Sequence, residues 1–263
     1  MYQPVIPTSG LAGWRFLQRT YDSQFAAFTQ SVTIQRDADY FRENIASIKT
    51  AEDLVADRRL LTVALGAFGL QDDIDNRYFI RKILEEGTAS DDTLANRFSD
   101  PRYAEISQAF GFGPQEYLKT GEPVFAEAII ARFEASSFEV AAGEQDQSMR
   151  VALYAQRELA DLAMLDKSND AKWYTVMGDP PMRQLFEKAL NLPEAFGQID
   201  IDQQLKVFKD RAKAVFGTND LSVFADETLI QETITKFLVR SQLNELGAGM
   251  SAGSIALSLL QSR

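Results

Sequence analysis

Four aspartates in this chain, Asp57, Asp100, Asp179 and Asp226, invite a chemical reading because each sits in the same local pattern. Carboxylates of this kind could act as acid and base groups, or as hard oxygen ligands for a cation. Their surroundings point elsewhere. Each follows an apolar residue by two positions, and each precedes apolar positions spaced like one helix face. The copies read Val55, Asp57, Leu60, Ala64, Phe68, Leu70; Phe98, Asp100, Tyr103, Ile106, Phe110, Phe112; Met177, Asp179, Met182, Phe186, Leu190, Leu192; and Phe224, Asp226, Leu229, Thr233, Phe237, Val239. Proline follows Asp100 and Asp179 directly, as suits an N-cap and the first helical position, where a missing N–H costs nothing. The pattern predicts four helix starts.

Other candidate chemistry fails on spacing. The run Asp72-Asp73-Ile74-Asp75-Asn76 suggests a calcium loop, but the sixth and twelfth positions from Asp73 hold Tyr78 and Leu84, where glycine and glutamate are required. Gly247, Gly249 and Gly253 lack the spacing of a dinucleotide loop and follow a helical segment instead of a strand. Glu43, Glu85, Glu86 and Glu116 could supply the two carboxylates of a glycoside hydrolase, yet each reads as the solvated face of a helix. A carboxylate-dependent hydrolase acting on a polysaccharide is the competing expectation. No catalytic residue, cofactor site or metal site is assigned.

The 263 residues contain neither cysteine nor histidine, which rules out disulfides, the usual structural zinc ligands and histidine-based triads. A net charge of −11, with 27 basic and 38 acidic residues, disfavours nucleic acid and anionic membranes, which need clustered Lys and Arg. No apolar run reaches the roughly 20 residues of a membrane span. Met1 to Gly10 lack the basic and apolar regions of a signal peptide, so cytoplasmic residence is the default expectation.

The elements that carry these residues are helices throughout. Spacing predicts an all-α array of about four related helix-pair repeats with flanking terminal helices. The expected organisation is an N-terminal amphipathic helix over 1–35, units one and two over 36–115, a connecting helix and loop over 116–150, units three and four over 151–246, and a tail over 247–263. Helix entries are expected at Thr50, whose capping box closes with Asp53, and at Asp75; exits are expected at Gly69, Gly87 and Gly111. A polar loop is expected at 143–148. The N-terminal helix carries Trp14, Leu17, Tyr21, Phe25, Phe28 and Val32 at steps of three and four. That stripe packs on the repeats or enters a partner's groove. Trp14, Leu17, Tyr21, Phe25 and Phe28 are therefore the candidate protein-binding residues.

Several segments resemble a bacterial family of unknown function. They are Gly13–Thr20 (GWRFLQRT), Thr50–Leu70 (TAEDLVADRRLLTVALGAFGL), Phe79–Thr88 (FIRKILEEGT) and Ala109–Gly113 (AFGFG). The resemblance covers most of the chain and is sharpest over residues 11–113. The family is known mainly from alphaproteobacteria, with members encoded among flagellar genes, and it offers no catalytic residues to transfer. It implies a non-enzymatic structural or interaction protein with a flagellar protein partner, or a cytoplasmic chaperone for exported proteins. Export through the flagellar route would also need no cleaved signal.

The capping assignment has a direct test. Asp100→Ala and Asp179→Ala are each expected to cost about 1 kcal/mol of stability, measured by urea unfolding; no loss at either site would put the helix register out of place.

Overall fold

Each capping signal sits where a helix must turn a corner, and the chain turns many. In the computed structural model, which describes residues 2–249, the described residues form thirteen α-helices and four short 3-10 turns. In chain order these are α1 (Gly10–Thr29), α2 (Val32–Asn44), α3 (Ala51–Ala56), α4 (Arg58–Ala67), α5 (Arg77–Glu86), α6 (Leu94–Arg97), α7 (Arg102–Phe110), α8 (Phe125–Gly143), α9 (Gln147–Met164), α10 (Asn169–Gly178), α11 (Pro180–Ala189), α12 (Ile201–Phe216) and α13 (Glu227–Gly249). The class is all-α. The tail expected from 247 onward lies, beyond Gly249, outside the described residues.

The four aspartates occupy one structural position. Asp57 joins α3 to α4, Asp100 lies between α6 and α7, Asp179 joins α10 to α11, and Asp226 joins the 3-10 turn Leu221–Ala225 to α13. The Asp57 Oδ1 accepts from the amides of Arg59 and Leu60 at 2.9 and 3.1 Å. Asp100 accepts from Arg102 N at 3.1 Å, and Asp226 from Thr228 N at 2.9 Å. These amides have no carbonyl partner inside the helix, so a short carboxylate is the natural acceptor. The next apolar positions drop into the core: Ala64, Ile106, Phe186 and Thr233 are all fully buried, as are Phe110, Leu190 and Phe237. Thr233 stands where the other copies are apolar, and its hydroxyl donates to Leu229 O at 2.8 Å. A buried hydroxyl is thereby satisfied within its own helix.

The described residues divide into two compact units with interleaved segments. The first takes residues 2–5, 18–145 and 175–180; the second takes 6–17, 146–174 and 181–249. In the first unit α4 packs on α8, and α2 packs on both. Gly66 sets that approach: a Cβ there would stand 2.8 Å from Cδ2 of Phe133. The rings of Tyr21, Phe25 and Phe28 lie edge-on to Phe138 of α8, with centroids 5.4–5.6 Å away, a favoured aromatic geometry.

In the second unit Trp173 stacks on Phe208 and meets Phe186 edge-on, at 5.6 and 5.2 Å. Its indole N–H donates to Asn219 O at 2.8 Å. The buried Lys172 ammonium donates to Ala163 O at 2.5 Å, meeting a buried carbonyl in the last turn of α9, where intrahelical donors run out.

Some boundaries differ from expectation. The helix after the acidic run starts at Arg77, not Asp75, because Asp75 still belongs to the turn that follows the 3-10 segment Gln71–Asp73; its exposed carboxylate meets the Arg58 guanidinium at 2.8 Å. Val32 does not extend the N-terminal stripe. It is 80% exposed, since α1 stops at Thr29 and Val32 begins a new helix pointing elsewhere. The polar segment at 143–148 is non-helical only at 144–146, because Gly143 still belongs to α8 and Asp146 already caps α9 through Ser148 N. The capping box at Thr50 and Asp53 is present as expected, and Gly69, Gly87 and Gly111 take positive φ at helix ends.

At the first corner, Asp57→Ala is expected to destabilise by about 1–2 kcal/mol, whereas Asp57→Asn, which keeps an acceptor oxygen for the cap, should lose much less. Equal losses in thermal and urea unfolding would show that capping is not what Asp57 contributes.

Candidate functional site

A set of surface hollows of the first unit lies beside the Asp57 corner. Asp57 caps α4 with one carboxylate oxygen and accepts the Tyr40 hydroxyl with the other, at 2.7 Å. The Tyr40 ring in turn lies under the Arg59 guanidinium, 3.8 Å from carbon to centroid, a close cation–π contact. Arg59 also donates to Arg36 O at 3.0 Å. One aspartate therefore starts the helix and positions an arginine platform beside it.

Burial would raise the Asp57 carboxyl, but the Tyr40 hydroxyl and the amides of Leu60 and Arg59 outweigh it and hold the group below the usual carboxylate range. Tyr40 is shifted upward for the reciprocal reason, chiefly its bond to that carboxylate.

Three hollows run together here. The first, about 480 Å³, is lined by Arg36, Asp37, Arg58, Arg59 and Thr62. A second, about 410 Å³, shares Arg36 and Arg59 with the first and is also lined by Gln35, Asp39, Tyr40 and Glu43. The third, about 270 Å³, shares Asp37 and Thr62 with the first and is walled by Phe28, Ile34, Phe133, Val140 and Ala141, with Gly66 among its lining residues. Thr33, Gln71, Ser136, Ser137 and Glu144 supply its polar lining. The result is a trough along α2, α4 and α8 with an arginine-rich end and an apolar end.

The five candidate binding residues are placed differently from an exposed stripe. Trp14, Leu17 and Phe28 are buried, and Tyr21 and Phe25 are half-buried. The ring contacts to Phe138 explain this for the three residues of the first unit. Only Phe28 lines the trough. The arginine platform escaped sequence reasoning because Arg36 on α2 is separated in sequence from Arg58 and Arg59 on α4 by a 3-10 turn and α3. The pair Arg58-Arg59 was visible, but its third member was not.

The glutamates considered for hydrolysis serve other structural ends. Glu116 accepts from Thr88 N and Oγ at 2.5 and 2.8 Å and from Gly113 N at 3.3 Å. Glu86 accepts from Leu94 N at 2.9 Å at the start of α6. Glu85 lies 3.4 Å from Arg81, and Glu43 lines the hollow on α2. In the acidic run, Asp73 accepts from the Tyr103 hydroxyl and the Asn76 amide at 2.7 and 2.8 Å. Among the described residues no three acidic groups converge as a metal site would require, and no helix is long and apolar enough to cross a membrane.

The described residues form an all-α scaffold with aspartates at four of its helix starts. The chain belongs to the family described as "Protein of unknown function (DUF1217)", whose model matches residues 67–230. That stretch contains the corners at Asp100, Asp179 and Asp226 and reaches well beyond residue 113. The fold is similar to the crystal structure of a structural-genomics target protein from Agrobacterium tumefaciens, at 24% identity and a TM-score of 0.74, over 92% of this chain and 99% of that one. No protein with a curated description matches.

Tyr40→Phe tests the linkage at this site. Removing the hydroxyl lets the Asp57 pKa rise toward its ordinary value. A carboxylate with a depressed folded-state pKa contributes stability above its unfolded pKa and loses it as pH falls through the folded one. The variant should therefore be less stable than wild type at neutral pH, and the gap should close below about pH 3. A gap independent of pH in urea titrations would separate Tyr40 from the Asp57 carboxylate.

Proposed function

We propose that this is a non-enzymatic structural or protein-interaction protein that works with the bacterial flagellum. The observation that carries the interaction reading is the trough on the first unit: a preformed groove pairing an apolar pocket with a cationic wall. Apolar anchors surrounded by polar contacts are what protein partners use to fix position and register. Of the polar residues that first suggest catalysis, Asp57, Asp100 and Asp226 cap helix starts and Glu86 and Glu116 tie loop amides, which supports a scaffold role for them. The flagellar context rests on the resemblance carried by Gly13–Thr20 and Thr50–Leu70.

Deleting the gene in the native organism is expected to impair motility or filament assembly, scored by swimming-halo diameter and electron microscopy of cells. Unchanged motility together with normal filaments would remove the flagellar reading.

A further inference from the structure

We propose that the first unit carries a binding site for an extended, proline-containing peptide, built by α1 and the α8–α9 connection, and that the chain fills this site with its own residues 2–5. The ligand class is an extended segment in which proline is followed by a residue that keeps its backbone N–H. Such a segment presented from another molecule competes with the chain's own.

The contacts read backbone. Gln24 of α1 grips Val5 from both sides: its Oε1 accepts from Val5 N at 2.6 Å and its Nε2 donates to Val5 O at 3.2 Å. A neighbouring strand makes the same pair of bonds to a residue of an extended chain, and here one side chain supplies both. The other Nε2 hydrogen goes to Thr20 Oγ1 at 2.7 Å, one turn earlier on α1, which sets the direction the amide faces. Gln145, between α8 and α9, donates to Pro4 O. All of these residues belong to the first unit. None of them lines the trough, and binding here does not depend on what the trough holds.

Burial says what the site selects. Pro4 is buried, whereas Gln3 is exposed and the Val5 side chain points outward, with the residue 55% exposed. Recognition therefore rests on one proline ring and the backbone after it. The segment is also shaped in advance. Residues 2–7 form no helix; Pro4 and Pro7 fix φ near the extended polyproline value, and the residues before them, Gln3 and Ile6, are steered to extended backbone as well. Little freedom is lost on seating such a peptide.

The site demands an occupant without specifying its connection. Gln24 is only 6% exposed, and a vacated site leaves its buried acceptor and one donor short of partners. Any backbone of the same shape meets that need. With a single buried ring among residues 3–5, the segment belongs to the parts of a fold that open locally and can be replaced.

The experiment uses the full chain, Val5→Pro within it, and a fluorescein-labelled peptide of residues 2–9. Val5→Pro removes the N–H that Gln24 accepts, so the chain's own segment leaves while the site stays intact. Fluorescence anisotropy should show the Val5→Pro chain binding the peptide at least about tenfold more tightly than the wild-type chain, whose tethered segment competes at high effective concentration. A twin peptide carrying Val5→Pro should bind at least about tenfold more weakly, and Gln24→Leu added to the Val5→Pro chain should erase the difference between the twins. On the wild-type chain, labelled with nitrogen-15, millimolar unlabelled peptide should speed hydrogen exchange of the Val5 amide, and the twin should not. This second measurement holds even if Val5→Pro disturbs folding. Absence of binding by a Val5→Pro chain with an unchanged circular dichroism spectrum would overturn the proposal. Equal binding of the twins, equal binding by the two chains, a preference that survives Gln24→Leu, or a Val5 amide indifferent to the peptide would do so as well. A wild-type dimer that dissociates on Val5→Pro would also overturn it, because the segment in the site would then belong to a second copy.

Discussion

Every helix begins with amide groups that have no carbonyl to meet, and a chain with this many helices must satisfy them repeatedly. The scaffold depends on that requirement. A single residue type answers it at three of the repeated corners, where Asp57, Asp100 and Asp226 each accept from the amide two positions on. Because the cap fixes where the helix starts, it also fixes which positions face inward. A one-residue slip would rotate the face by about 100° and expose Ala64, Ile106 or Phe237. Capping contributes little energy compared with burying those side chains, at roughly 1.5–3 kcal/mol for each large apolar one. It nonetheless decides which of them are buried.

The corner carries more than a start signal. At Asp100 the same carboxylate pairs with Arg102, in contacts of 2.6–3.2 Å, and Arg102 also donates to Gly69 O at 2.9 Å. At Asp57 the second oxygen holds Tyr40, and Tyr40 supports Arg59. The copies thus share their cap and diverge in what the remaining oxygen holds. The cap is common to these corners, and the remaining lone pairs of each aspartate give each corner its own local contacts.

Much of the frame was legible in the chain itself, since helix periodicity and caps are local signals. Asp-Pro at 100 and 179, Thr50 with Asp53, and the glycines at 69, 87 and 111 all act within a few residues of themselves. Legibility fails where partners are distant. Asp75 looked like a helix entry, but the turn after the 3-10 segment Gln71–Asp73 runs through it, and its carboxylate meets Arg58, seventeen residues away. Val32 kept the right spacing after Phe28, but a turn had intervened, and spacing cannot register a change of direction. The trough was invisible for the same reason. Its cationic wall joins residue 36 to residues 58 and 59, and its apolar walls join residues 28, 34, 133 and 140. No window of sequence contains both.

Gly66 gives the trough an unusual property. Where α4 meets α8, the limit of approach is a backbone carbon against the Phe133 ring, with no flexible side chain between them. On the α4 side that contact has no rotamers to exchange, so at this point only the Phe133 ring can yield. A bulkier occupant of the apolar end must turn that ring or move a helix.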